Sequence, residues 1–222
     1  MNSELIVANN PKSGIAEAIK TIRTNLLFSS IDNPVRSILM TSSSTGEGKS
    51  FISANLAVAF AQAGVKVLVV DCDLRRGRQH KIFNIDNEKG LSNLLLDDVE
   101  KNYKKYIKKT RYENIYVLPM GIVPPNPSEL LASAKNKQLV KLLKNNFDLV
   151  IYDGVPVGGL TDSIIMADLV DKIVIVSAYK STPVEFLQNT KKALEKFNDK
   201  IAGVILNKFP SSKDNYYSRY YQ

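Results

Sequence analysis

Lys49 and Ser50 close the stretch Ser42-Ser43-Ser44-Thr45-Gly46-Glu47-Gly48-Lys49-Ser50, which lies between the apolar run Ser37-Ile38-Leu39-Met40 and a helix-like run from Phe51 to Ala63. A strand, a small Gly-rich turn and a Gly-Lys-Ser opening a helix are what a phosphate-binding loop requires. Free N–H groups at a helix start, added to the positive end of its dipole, suit a polyphosphate. The backbone of Ser44, Thr45, Gly46, Glu47 and Gly48 would cradle the phosphates. Lys49 would reach the β- and γ-phosphates, and the Ser50 hydroxyl would join a Mg²⁺ shell. Ser43 stands where the pattern has a glycine, so the loop must turn there without positive φ.

Carboxylates are the second ingredient. The run Val65-Lys66-Val67-Leu68-Val69-Val70 reads as a buried strand delivering Asp71 and Asp73 to its carboxyl end. Phe147-Asp148-Leu149-Val150-Ile151-Tyr152 reads as another, ending in Asp153 and Gly154. Ligands of open parallel sheets bind beyond the carboxyl ends of the strands, which would bring these acids to the phosphate loop and the metal. A lone strand-terminal Asp also serves as a cap for the next helix. Two strands ending this way beside a phosphate loop favour a shared site.

The elements that must position these groups alternate. Further strands are expected at Asn114–Leu118, Lys172–Ser177 and Ala202–Leu206, with helices at Asn136–Lys144, Asp162–Ala167 and Glu185–Phe197. Such alternation predicts an α/β fold, a P-loop NTPase with a mostly parallel sheet and helices on both faces. Residues 1–210 are expected to form one domain, with 211–222 a mobile tail. Within that domain, 1–14 read as a loose arm, and Ile15, Ile19, Ile22 and Leu26 mark a helix ending near Ser29. Glu17, Lys20 and Arg23 fall on a flank away from that stripe, either a solvated face or a contact with another subunit. Three prolines in Pro124-Pro125-Asn126-Pro127 exclude regular structure there, and Pro127 or Ser128 should start the next helix.

With 222 residues, 44% of them hydrophobic, the chain can bury a sizeable core. Thirty Lys and Arg against 22 Asp and Glu give +8, which favours anionic company. The single Cys72 cannot form an internal disulfide, and no signal-peptide pattern opens the chain, so the cytoplasm is the expected compartment. The most apolar long run, Ala54 to Val70, is broken by Gln62, Gly64 and Lys66 and reads as helix, turn and strand rather than a membrane span. Lys101 to Arg111 holds six basic residues, a solvated helix face or a contact with anionic lipid or an acidic partner. His80, the only histidine, lacks companions for a metal set and reads as structural or as supporting the site from behind. Of ten tyrosines, four (Tyr216, Tyr217, Tyr220, Tyr221) lie in the last seven residues. Exposed phenols that bury nothing are candidates for phosphorylation, which adds roughly −1.5 to −2 charges each.

Taken together these motifs resemble the bacterial tyrosine kinases (BY-kinases) of capsule and exopolysaccharide systems, in their separate cytoplasmic form. Glu17 to Asn25 resembles the family's oligomerisation helix, Ser42 to Ser50 its Walker A loop, Val70-Asp71-Cys72-Asp73-Leu74-Arg75 its Walker A′ and Ile151-Tyr152-Asp153 its Walker B. Pro124 to Leu130 is similar to its Pro-Pro-Asn-Pro-Ser-Glu-Leu segment, and the terminal tyrosines to its autophosphorylated cluster. Lys20 departs from the usual Arg of the oligomerisation pattern and cannot reproduce a bidentate fork. Thr45 and Gly77 stand where Pro is frequent, at positions not expected to touch a group needed for chemistry.

The resemblance implies an ATP- and Mg²⁺-dependent protein-tyrosine kinase that phosphorylates its own tail. Lys49 would hold ATP with the loop amides; Ser50, Asp73 and Asp153 would order the metal; Asp71 would accept the tyrosine proton; and Asn207 would contact the adenine. Glu17, Lys20 and Arg23 would mediate a homo-oligomer, expected as a ring. Implied partners are a membrane-bound activator, a cognate tyrosine phosphatase and protein substrates, with no nucleic acid, and the implied place is the inner face of the plasma membrane, reached through the activator. The alternative is an ATPase switch of the MinD/ParA type. Those proteins carry an extra Lys near the loop's start, where this chain has Ser43 and Ser44.

Overall fold

The computed structural model describes residues 3–29 and 34–210. The four terminal tyrosines lie outside them. In chain order the elements begin with α1 (Ile6–Asn9), α2 (Gly14–Phe28), β1 (Ser37–Ser42), α3 (Lys49–Ala61), β2 (Val67–Asp71), α4 (Gln79–Phe83) and α5 (Leu91–Leu96). They continue with α6 (Val99–Tyr106), β3 (Lys108–Lys109), β4 (Ile115–Leu118), α7 (Pro127–Ala132), α8 (Ala134–Asn146) and β5 (Leu149–Pro156). The last are α9 (Asp162–Leu169), β6 (Lys172–Ala178), α10 (Val184–Ala193) and β7 (Ile201–Asn207), with a 3-10 turn over Glu195–Lys200 between the final two.

The sheet runs β3-β4-β2-β5-β1-β6-β7. Every pairing is parallel except β3 with β4. Its inner strands are near-continuous apolar runs because both faces are covered. One core packs Val67, Val69, Ile38 and Met40 against α1 to α3. The other packs Leu68, Val70, Leu39 and Tyr152 against Leu94, Leu131, Leu143 and Met166 of the opposite helical layer. The central strands β2, β5 and β1 lie side by side, with Asp71 at the end of β2 opposite Asp153 in register; contrary to the strand end expected at Tyr152, β5 runs on past Asp153 to Pro156 beside the end of β1. This is the crevice the alternating pattern predicts.

Two expectations about the N-terminus need correction. The arm is not loose along its length: Leu5 and Val7 are fully buried, and the Val7 amide donates to Asn55 Oδ1 at 3.0 Å. Apolar residues too few to show a period can still fill a groove on α3. Ile15 does not join the buried stripe of α2; it is half exposed, and Ala16 takes its place beside Ile19 and Leu26. A small side chain allows α2 to approach α3 closely.

Candidate active site

The loop after β1 turns on its glycines. Gly46 and Gly48 hold φ of 78° and 91°, whereas Ser43 needs no positive φ. Ser43 is instead buried, with its Oγ accepting from Thr190 Oγ1 of α10 at 3.0 Å. Glu47 braces the loop from within: one carboxylate oxygen accepts from the Ser44 amide at 2.8 Å, the other from the Thr182 hydroxyl. Asn207, at the end of β7, donates Nδ2 to the Glu47 carbonyl at 2.8 Å, and Lys208 Nζ reaches the Gly46 carbonyl at 2.7 Å. A Cβ on Gly48 would sit 2.0 Å from Asn207 Nδ2, so only glycine admits this contact. Thr45 lies exposed on the loop's outer side.

Lys49 points inward to Asp153, Nζ to Oδ1 2.5 Å, with the lysine 8% exposed and the aspartate fully buried. Ser53 Oγ also donates to Asp153 Oδ1, at 3.3 Å. The hydroxyl of Ser50 lies half-buried one residue further along α3. Asp71 is fully buried; its Oδ2 accepts the Gln79 amide at 2.9 Å and its Oδ1 the Asp73 amide at 3.3 Å. Burial first, and the Asp153 charge second, push the Asp71 carboxyl up to about 8. Asp73 is half-buried and turns its Oδ1 back to the Arg75 and Arg76 amides at 3.2 and 2.8 Å. Asp71, Asp73, Asp153, Lys49 and Ser50 are therefore gathered at one end of the sheet.

Gln79 escaped the sequence reading. Its Nε2 donates to Asp153 Oδ2 at 2.8 Å and to the Ser50 carbonyl at 3.1 Å, while its amide holds Asp71. One fully buried residue thus joins both acidic strands to the phosphate loop, and its Oε1 is buried without a partner. Neither spacing nor polarity distinguishes Gln79 from its neighbours in Arg75-Arg76-Gly77-Arg78-Gln79. The adjacent His80, partly buried, has its pKa lowered by desolvation, and its buried Nδ1 lacks a partner. Gly77 also corrects an expectation, because it does lie against the chemistry. A Cβ there would come 2.6 Å from Asp71 Oδ2 and 2.7 Å from Met120 Sδ.

Arg75 of the Walker A′ stretch pairs with Asp162 at the start of α9, which is 1% exposed. Asp162 accepts in turn from Ser128 Oγ at 2.6 Å. The proline-rich segment is thereby tied to the turn after β2, and α7 begins at Pro127, where a missing N–H costs nothing. A cavity of about 430 Å³ opens between the loop's first residues and α10, lined by Ser43, Thr45, Pro156, Leu160, Phe186 and Asn189.

The donor set suits Mg²⁺. This hard cation takes one or two carboxylates with phosphate oxygens and waters, and Ser50, Asp73 and Asp153 offer one hydroxyl and two carboxylates beside a phosphate loop. The unpartnered Gln79 Oε1 can accept from a metal-bound water. The proposed oligomerisation residues lie apart, on α2. Glu17 pairs with Lys20 at 2.7 Å, Lys20 also donates to the Pro11 carbonyl at 2.9 Å, and Arg23 reaches the Ala59 carbonyl of α3 at 2.8 Å.

The family described as an AAA domain matches residues 35–205. CapB of Staphylococcus aureus is 41% identical over 219 residues, covering 99% of this chain and 95% of CapB. The tyrosine-protein kinase YwqD of Bacillus subtilis (strain 168) is 37% identical over 220 residues, 99% of this chain and 92% of YwqD. Among solved structures, the chimerical protein CapA2B2 superposes with TM-score 0.89 at 42% identity, covering 94% of this chain and 91% of that one. The kinase domain of the Escherichia coli tyrosine kinase ETK does so with TM-score 0.86 at 32% identity, covering 96% of this chain and 84% of that one. The cell-division ATPase MinD of Pyrococcus furiosus is more distant, with TM-score 0.66 at 28% identity, covering 80% of this chain and 74% of that one. A phosphate loop with acids on two neighbouring strands is common to P-loop NTPases, and full-length identity to kinases decides among them: this chain is a protein-tyrosine kinase and belongs to the bacterial tyrosine kinase family expected from its motifs.

Proposed function

We propose that the chain transfers the γ-phosphoryl group of ATP to its own terminal tyrosines, Tyr216, Tyr217, Tyr220 and Tyr221, and thereby regulates capsular or exopolysaccharide synthesis and export. The observation that carries this reading is the buried Lys49–Asp153 pair held beside Asp71 by Gln79. In it, Lys49 exchanges Asp153 for phosphate oxygens, the loop amides and Ser50 orient the triphosphate, and Asp73 and Asp153 would hold Mg²⁺ directly or through water. Bound Mg²⁺ neutralises charge on the transferred group, the main requirement of such transfer. The tyrosine oxygen forms a bond to the γ-phosphorus as the bond to the bridging oxygen breaks and ADP leaves. The phenol's proton passes to Asp71 in its ionised form, which burial and the Asp153 charge disfavour in the free protein and which a cation beside it would favour. Because both Asp71 oxygens are covered by backbone amides, the turn from Cys72 to Arg78 must shift for the acceptor to reach it. Leu160 and Phe186 give the cavity beside the loop an apolar wall suited to an aromatic ring.

Asn207 contacts the loop already and is the residue assigned to the adenine. A neighbouring subunit presents the tail, in a ring built through Glu17, Lys20 and Arg23, and accumulated phosphate charge loosens that ring. A membrane-bound activator, a cognate phosphatase and further protein substrates complete the system, and the chain works at the inner face of the membrane. Close superposition on a chimerical protein, CapA2B2, is in keeping with such a partner. No helix among the described residues is long and apolar enough to cross a bilayer. Likeness to MinD favours one rival, a nucleotide switch without tyrosine kinase activity. Incubation with Mg²⁺ and ATP, read by peptide mass, tests the assignment: phosphate on the tail tyrosines supports it, and ATP hydrolysis with an unmodified tail, even with the activator's cytoplasmic segment fused to the chain, favours the switch.

A further inference from the structure

One face of the molecule carries an excess of lysines, with Asp86, Asp97, Asp98 and Asp171 set beside it. Residues 99–146 hold ten Lys and Arg against three Asp and Glu, so this segment supplies +7 of the total +8. The fold gathers the segment rather than spreading it. Gln138 Nε2 donates to Glu100 at 2.5 Å and Lys135 Nζ to the Asp97 carbonyl at 2.7 Å, which lays α6 and α8 parallel. Lys104 and Lys141, each about one turn further on, come to the same level. Lys109 continues the face along the edge strand β3, and Lys137 lies exposed on α8. Among the described residues no carboxylate pairs with Lys104, Lys109, Lys137 or Lys141, whereas Lys101, Lys108 and Lys144 are paired with Asp98, Asp86 and Asp171. The apolar side chains of α6 turn inward, Val99 and Tyr103 being buried. Leu96, 67% exposed immediately before Asp97, is the apolar side chain at the rim of this face.

We propose that the face formed by α6, β3 and α8 is a direct docking surface for an anionic lipid bilayer. This goes beyond the phosphotransfer reading and does not depend on it. Nine of the ten basic residues are Lys, compact hydrated charges without the fork that specific phosphate or nucleic-acid recognition exploits. They are spread over two helices and a strand, which matches a laminar charge better than a single anionic group. Each lysine near such a surface contributes about fivefold in binding. The inward-turned apolar residues make this adsorption rather than insertion, with Leu96 the one side chain placed to enter the headgroups. Docking leaves the active site open, because α8 descends to the amino-terminal end of β5 while the site lies at the carboxyl ends.

The test is co-sedimentation of the full chain with vesicles of phosphatidylcholine alone or with about one-third phosphatidylglycerol, at low and high salt. Beside it run a quadruple variant, Lys104→Gln, Lys109→Gln, Lys137→Gln and Lys141→Gln, and a charge-matched control, Lys12→Gln, Lys191→Gln, Lys192→Gln and Lys196→Gln. Thermal melts establish that each variant folds. The parent and the control should bind the anionic vesicles alone and release them at high salt, and the α6/α8 variant should bind at least a hundredfold more weakly. Equal loss in the control, no loss in the α6/α8 variant, or binding of the polyanion heparin without binding of vesicles overturns the proposal. A chain that docks but transfers no phosphate, even with the activator's cytoplasmic segment fused to it, would refute the kinase mechanism alone, and the reverse result would refute the docking face alone.

Discussion

Replacing Gln79 with leucine isolates the residue that joins both acidic strands to the phosphate loop. The substitution keeps the backbone amide on Asp71 and approximate side-chain volume, but removes the 2.8 Å bond to Asp153 Oδ2 and the 3.1 Å bond to the Ser50 carbonyl. A hydrogen bond to a charged group contributes about 1.5–3 kcal/mol, and a buried acceptor left unsatisfied costs a similar amount. Part of the stability loss is offset, since Gln79 Oε1 is itself unpartnered and leucine suits a fully buried position. The cost should therefore fall on the alignment of Asp153 with Lys49. At about 2 kcal/mol it corresponds to roughly a thirtyfold loss of kcat/KM for ATP-dependent tyrosine phosphorylation. The assay is initial-rate phosphorylation of the tail read by mass, with a thermal melt in parallel. A Gln79→Leu protein working within threefold of the parent would refute the claim that Gln79 positions the site.

Two other outcomes follow from packing and charge. Leu5→Ala should lower stability by about 2–5 kcal/mol, read by denaturant titration, because Leu5 is fully buried in the core under α3; a change below about 0.5 kcal/mol would restore the loose arm. Asp71, raised from 3.8 to about 8 by burial and then by Asp153, keeps a proton in the folded state that the unfolded chain releases. Stability without nucleotide should consequently fall as pH rises between these values, by at most about 1.4 kcal/mol per unit for this group, and Asp71→Asn should flatten that slope in melts from pH 5 to 8. Parallel slopes in parent and variant would contradict it.

What the sequence makes legible here is what depends on period and adjacency. Phosphate loop and strand share neighbouring residues, so Lys49 and Ser50 can be placed before any fold is known, and the apolar runs ending in Asp71 and Asp153 identify the central strands. Gln79 could not be found this way, since its role arises when β2 and β5 come together and a short helix folds over them. Gly77 is similar: its missing Cβ matters because Asp71 and Met120 close on it from other parts of the chain. The short helices α4 and α5 and the edge strand β3 carry too few residues for a period. Leu5 and Val7 bury themselves through contacts with α3 that no local pattern announces. Tyr216 to Tyr221 are read from composition alone.

The most direct measurement is peptide mass analysis after incubating the purified chain with Mg²⁺ and ATP, beside Lys49→Met and a chain lacking Tyr216–Tyr221. Phosphate should appear on the tail tyrosines of the parent and not on those of Lys49→Met, because Lys49 carries the charge that turns from Asp153 to the phosphates. Tail phosphate appearing equally on Lys49→Met would contradict it, placing the phosphoryl donor's site elsewhere.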